Sequence, residues 1–255
     1  MYEEFASVYD QVMDNIPYEK WFTVLRQYLF DHGMEQGCIC DIGCGTGVMT
    51  ELFAAAGYDM IGVDCSEDML ALAQQRREKN QSTVMYLHQD MMELTLMEPV
   101  EAMISVCDSM NYLLEEEELQ AVLSHVWQQL KPGGYFLFDM KTAYCYQQIM
   151  GNQTWVSQDE DTSYIWENYF FEDEQINEYA VTVFKRHADN SLYEKIEEVH
   201  HQRAYVPDEV IQMAQRAGFC VKDCLDADTM KPWNEKSARI YYMLQREECQ
   251  SGGRQ

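Results

Sequence analysis

Residues 41–47 read Asp-Ile-Gly-Cys-Gly-Thr-Gly, three glycines at alternate positions behind a carboxylate and an apolar run. Gly43, Gly45 and Gly47 carry no Cβ, so a turn built from them can fold tightly and bring backbone N–H groups close to a ligand. A second carboxylate, Asp64, closes the next apolar run, and Gln89-Asp90 closes the one after. A carboxylate accepts two hydroxyl hydrogen bonds side by side, which suits Asp64 to a ribose diol at the C-terminus of a strand. The alternative for Asp64 is a cap on the helix that follows. A dinucleotide fingerprint would space its glycines GxGxxG; here the third glycine comes one residue early and Val48 stands in its place, which disfavours a nicotinamide dehydrogenase.

Two further stretches carry chemistry. In SVCDSMNYLLEEEE, 105–118, Asp108, Ser109, Asn111 and Tyr112 follow an apolar run and reach the same rim as the glycine turn. The acids at 115–118 favour the positive end of a helix dipole. In HHQRAY, 200–205, strand alternation puts His201, Arg203 and Tyr205 on one face and His200, Gln202 and Ala204 on the other. With the first face over the cleft, Arg203 can grip a carboxylate or phosphate and His201 can take a proton. With that face in solvent, the cluster blunts a sheet edge.

The elements that must position these residues alternate. The pattern predicts helices over 3–14 and 17–32, with Pro17 at a helix start, then strand 38–42, helix 47–56, strand 58–64, helix 66–79 and strand 83–88. Strand 101–106, helix 115–130 and strand 134–139 follow. Ser66 caps the helix it precedes. Such alternation predicts a parallel sheet covered on both faces. A helical piece near 141–149 precedes strand-like runs over 164–171, 176–187 and 192–205, an antiparallel meander inserted into the main fold. A helix over 207–217 and strands over 219–225 and 238–245 close the chain, with 247–255 as a frayed tail.

Taken in order, DxGxGxG, Asp64, Asp90 and LKPGGYFLFD at 130–139 resemble the class I S-adenosylmethionine-dependent methyltransferases over nearly the whole chain. The resemblance implies a Rossmann-like, doubly wound, seven-stranded, mostly parallel sheet: one domain over 1–255 with N-terminal lid helices at 1–34 and an inserted β subdomain at 151–205. It implies S-adenosylmethionine as cofactor, Asp64 on its ribose, Asp90 near its adenine, and Asp41, Gly43, Gly45 and Gly47 along the cofactor. Cys65, Met69, Met91 and Cys107 join the cofactor set, with Met69 and Leu70 also reading as core. The opening pattern YxxFAxxYDxxM resembles lid helices in which a tyrosine, here Tyr9, touches the cofactor's carboxylate end. Tyr2, Phe5 and Tyr9 share a helical face and serve equally as a docking stripe. CDSMNYL and HHQRAY resemble a bacterial YqeM-like group. That group's acceptors are unassigned, so the resemblance supports the fold and names no substrate; from the residues themselves His201, Asp108 and Tyr112 are the catalytic candidates and Asn111, Arg203 and Tyr205 the substrate contacts. Trp166 reads as pocket wall or meander core.

Composition narrows the partners. With 44 acidic and 18 basic residues in 255, a formal charge of −26 repels polyanions, so neither DNA nor an anionic membrane surface is expected. The run 105–118 also lacks NPPY, a hallmark of base amino-methylation. The acidic opening MYEEFASVYDQVMD and the lack of a long apolar run predict a cytoplasmic protein. Nine cysteines without a CxxC pair read as reduced thiols, and no metal is expected. The expected function is methyl transfer to N or O of a small molecule, by a monomer or homodimer. A protein or RNA methyltransferase and a non-catalytic S-adenosylmethionine binder stand as alternatives.

Overall fold

The computed structural model describes residues 16–158, 161–187 and 192–247. The predicted first helix, with Tyr2, Phe5 and Tyr9, and the predicted tail beyond 247 lie outside the described residues. In chain order the first part contains α1 (Tyr18–Asp31), β1 (Cys38–Ile42), α2 (Val48–Ala55), β2 (Asp59–Asp64), α3 (Glu67–Asn80), β3 (Met85–His88), β4 (Val100–Ser105), α4 (Glu116–Gln129) and β5 (Leu130–Lys141). The second part contains β6 (Thr154–Gln158), β7 (Thr162–Phe171), β8 (Ile176–Arg186), β9 (Tyr193–Arg203), α5 (Pro207–Arg216), β10 (Phe219–Asp226) and β11 (Arg239–Arg246).

Seven strands form the main sheet in the order β10-β11-β5-β4-β1-β2-β3. β1 to β5 run parallel and β11 lies antiparallel to both neighbours. Since both faces are covered, burial along β1 does not alternate: Ile39, Cys40 and Ile42 are all fully buried, and Asp41 between them is 1% exposed. One face packs on Trp21, Leu25 and Leu29 of α1 and Phe53 of α2. The other packs on Leu119, Val122 and Val126 of α4 and Val210 and Met213 of α5. Helix starts follow the residues expected of them. Ser66 Oγ accepts the Met69 N–H at 3.3 Å, and Glu115 and Glu118 form a reciprocal capping box at α4.

From β1 the chain winds through β2 to β3, then crosses back so that β4 joins the other side of β1. That reversal opens a crevice beyond the C-terminal ends of β1 and β4, where open α/β sheets take ligands. The loops at 43–47 and 106–112 lie on it and touch: Ser109 Oγ donates to Gly43 O at 3.3 Å.

A second sheet, β6-β7-β8-β9, is an antiparallel meander with its own small core of Tyr179, Val181, Val183 and Ile196 under Tyr146. It has four strands where three were expected. All five residues of β6 are exposed, so that strand carries no alternation to reveal it. Residues 145–150 form one π-helical turn.

Candidate active site

The crevice deepens into a cavity of about 360 Å³, walled on one side by the glycine turn and on the other by the second sheet. Asp41 sits at the end of β1, 1% exposed. Its Oδ2 accepts the Thr50 hydroxyl at 2.6 Å, whereas Oδ1 is buried with no hydrogen-bond partner. Burial pushes its carboxyl up to about 7; the Thr50 bond works against this and Asp64 adds to it.

Gly43, Gly45 and Gly47 have φ of +69°, +54° and +77°, a region that side chains avoid. Their surroundings differ. A Cβ on Gly43 would lie 2.8 Å from Ser109 Cβ, and one on Gly47 would lie 2.3 Å from the Tyr86 hydroxyl. One on Gly45 would meet nothing within 4 Å. The first and third glycines thus let the protein pack, while the middle one leaves open space in the cavity. The turn is pinned from β2: Asp64 Oδ2 accepts the Gly45 N–H at 2.8 Å and Oδ1 the Ser66 N–H at 2.9 Å. Each oxygen keeps a second lone pair. Burial raises the Asp64 carboxyl, partly offset by these N–H donors.

Cys65, Met69, Asp90, Met91 and Cys107 all line the cavity. Met69, 3% exposed, is buried as well as facing the cavity. Asp90 Oδ1 holds the Met92 N–H at 2.8 Å. After β4, Cys107 and Asp108 take φ of +64° and +56°, two successive left-handed residues that are not glycine.

Asp108 is one corner of a buried ionic quartet. Its Oδ1 accepts from Arg239 at 2.8 Å, and its Oδ2 from Lys141 Nζ at 3.0 Å and Gln202 Nε2 at 2.7 Å. Arg239 also pairs with Asp139, whose Oδ2 accepts the Asp108 N–H at 3.2 Å. Burial alone would raise the Asp108 carboxyl, but Lys141 and Arg239 outweigh it and hold it below the usual range. Burial would likewise lower the Lys141 ammonium, but Asp108 and Tyr179 reverse that, so it stays charged. Two carboxylates face two cations, and the quartet is neutral. Lys141 Nζ reaches the Tyr179 hydroxyl at 3.0 Å, and Tyr146 donates to Gln202 Oε1 at 2.9 Å, which ties the second sheet to the rim.

Tyr112 lines the cavity, edge-on to His200 with ring centroids 6.0 Å apart. The HHQRAY strand presents the face opposite to the one expected. His200 and Gln202, 4% and 1% exposed, line the cavity. His201 points away and pairs with Glu178 at 3.0 Å. Arg203 turns to α4, donating to Leu114 O at 2.9 Å and Glu116 Oε1 at 3.2 Å. The Tyr205 hydroxyl lies 2.6 Å from Leu113 O and 2.9 Å from Glu115 O. Asn111 is fully buried and spends its amide on backbone: Nδ2 donates to Lys141 O and Arg203 O, and Oδ1 accepts the Lys141 N–H. His201, Arg203, Tyr205 and Asn111 are therefore outside the cavity wall. Trp166, Tyr179, Lys141 and Tyr18 are in it, and of these only Trp166 was weighed as wall from sequence.

Comparison with known proteins agrees with this geometry. A family model described as "Methyltransferase domain" matches residues 39–134. The chain is 36% identical over 247 residues to a protein of Geobacillus sp. (strain WCH70) named as a methyltransferase, covering 96% of this chain and 99% of that one. It is 32% identical over 247 residues, 96% and 97% of the two chains, to the Bacillus subtilis (strain 168) protein YqeM, also named as a methyltransferase. The crystal structure of a S-adenosylmethionine-dependent methyltransferase from Clostridium acetobutylicum ATCC 824 superposes with a TM-score of 0.86 at 25% identity, over 96% of this chain and 99% of that one. The chain belongs to the S-adenosylmethionine-dependent methyltransferases, alongside the YqeM-like proteins.

The residues fit that cofactor. Asp41 Oδ1 lacks a partner, the space over Gly45 is open, and Asp64 has unused acceptor capacity beside it. Among the described residues no cluster could hold a metal ion, and no helix is long and apolar enough to cross a membrane.

Proposed function

We propose that the chain methylates a nitrogen or oxygen of a small molecule inside this cavity. The observation that carries the reading is continuity: one cavity is lined by Asp41, Gly45 and Asp64 at one end and by Tyr112, Trp166, Tyr179 and His200 at the other. Asp64 accepts the ribose hydroxyls, Asp41 Oδ1 a cationic N–H of the amino-acid end, and Asp90 with Met91 and Met69 bounds the adenine. When bound, S-adenosylmethionine supplies an electrophilic methyl group on a sulfonium. The chain's own part is alignment and exclusion of water. Lys141 and Gln202 hold Asp108 and the second sheet in place, and the aromatic walls suit a positive charge as it passes from sulfur to the acceptor. A charge of −26 weighs against a nucleic-acid substrate.

Calorimetric titration with S-adenosylmethionine, S-adenosylhomocysteine and NAD tests the cofactor end. The expected result is micromolar binding of the sulfur ligands and none of NAD. Binding of NAD alone would sink the reading. A screen with S-adenosylmethionine carrying a labelled methyl group then tests the acceptor end; label appearing only in added protein or RNA would overturn it.

A further inference from the structure

The second sheet has two faces, and among the described residues the chain packs on only one of them. Its inner face carries Trp166, Tyr179 and His200 to the cavity, and Val183 and Ile196 to the small core under Tyr146. Strand alternation puts Val156, Ile165, Tyr169, Phe171, Phe184 and Val199 on the outer face. Cross-strand register knits that face together: Val156 opposes Ile165, Phe171 opposes Ile176, and Ala180 opposes Val199. Among the described residues none of its side chains belongs to any of the buried cores. Val156, Val199, Phe171 and Tyr169 are 71%, 48%, 45% and 40% exposed. Apolar side chains gathered on one exposed face mark an interaction surface, whereas single scattered ones do not.

The charge of this face sets it apart from the rest of the chain. Within the four strands its acids are Glu167, Glu178 and Glu197 and its bases Arg186, Lys195 and Arg203, so the formal charges cancel, against −26 for the whole. Most are already paired: Lys195 with Glu197 at 2.7 Å, His201 with Glu178 at 3.0 Å, and Arg203 with Glu116 at 3.2 Å. Edge strand β6 adds no charge, since Thr154–Gln158 contains neither acid nor base; sheet edges that must stay apart are blunted by charge or proline. In a two-fold contact a surface meets its own copy, so two chains this acidic approach at least cost where their charges cancel. A basic partner would find no excess of acid on this face, and an anionic one would be repelled by the chain as a whole.

We propose that the outer face of the β6–β9 sheet is where two copies of this chain pair, sheet on sheet, about a two-fold axis. Strands of up to 11 residues at ~3.3 Å each, four of them ~4.8 Å apart, give a face on the order of 600 Å². Two such faces remove on the order of 1,200 Å² from water, the size of a small specific interface. The inner face stays with its own chain, so pairing braces the wall made by Trp166, Tyr179 and His200 and leaves the glycine-turn end untouched.

Sedimentation velocity of the full chain across micromolar concentrations tests the proposal. The expected result is a concentration-dependent species of twice the 30.0 kDa chain mass. Raising salt from about 20 mM to about 300 mM should tighten it, because screening relieves the repulsion between two acidic chains and costs a neutral contact little. Phe171→Glu and Val199→Glu lie on separate strands at exposed positions, and each should raise the dissociation constant about tenfold or more with far-UV circular dichroism unchanged. Met97→Glu adds the same charge at a position 97% exposed outside the second sheet and should leave the dimer as it is. A chain monomeric throughout the range, a dimer weakened by salt, or equal loss with Met97→Glu would each overturn the proposal. So would a dimer that survives both sheet substitutions, as pairing through the β6 edge alone would.

Discussion

Asp41 is a carboxylate kept in the fold at a cost, and that cost has a pH signature. An ordinary carboxyl titrates near 4, whereas burial places this one at about 7. The folded protein therefore binds a proton more readily than the unfolded chain, and stability from this group is full below the unfolded value and lost as pH rises toward the folded one. Three units correspond to about 4 kcal/mol at full ionisation, of which about 2.5 kcal/mol develops between about pH 5 and about pH 8. Asp41→Asn removes the titration. Thr50 can still donate to the amide oxygen, but the amide NH₂ is left buried, a pH-independent penalty of about 1–3 kcal/mol. The diagnostic is thus the slope. The melting temperature of Asp41→Asn minus that of the parent, both ligand-free, should climb by about 5–10 °C from about pH 5 to about pH 8, at about 2–4 °C per kcal/mol for a chain of this size. Scanning calorimetry across that range checks it, and a flat difference would refute the buried, partnerless carboxylate. The same variant should bind S-adenosylhomocysteine at least about tenfold more weakly at the upper pH, for loss of a charge-assisted bond.

Other perturbations separate cofactor from scaffold. Asp64→Ala should weaken S-adenosylmethionine binding by about 1.5–3 kcal/mol; unchanged affinity by calorimetry would remove Asp64 from the ribose. Gly45→Ala meets no protein atom, so it should cost about 1–2 kcal/mol of backbone strain yet abolish cofactor binding, whereas Gly47→Ala drives a Cβ into the Tyr86 hydroxyl and should lower the melting temperature sharply. The two variants behaving alike in both assays would contradict the open space over Gly45. Arg239→Met leaves Asp108 and Asp139 with Lys141 as their remaining cation and should cost about 3–5 kcal/mol in chemical denaturation. Arg203→Ala, with its half-exposed partner Glu116, should cost about 1 kcal/mol or less as an ion pair and leave cofactor affinity untouched.

The β1–β2 part of the main sheet was readable because each of these strands ends in a residue with a local job. Asp41, Asp64 and the three glycines declare strand end, turn and helix start within a few positions, and the predicted boundaries of β1, β2 and α3 fall within about two residues of those observed. The acceptor end is different, because the quartet draws Asp108, Asp139, Lys141 and Arg239 from three separated segments, and Lys141 and Arg239 carry no local signal. The inverted face of HHQRAY is more instructive. Strand parity alone says which residues share a face and not which face is buried. The apolar anchor needed to settle that lies in the same strand. Ile196 has the parity of His200 and Gln202, and it pairs with Val183 in a β8 whose Tyr179, Val181 and Val183 are all buried. Reading β9 from its arginine and exposed histidine outward gives a charged face to the cavity. Reading it from Ile196 gives His200 and Gln202, and so converts the proposed general base at His201 into a residue that pairs with Glu178 on the wet side of the sheet.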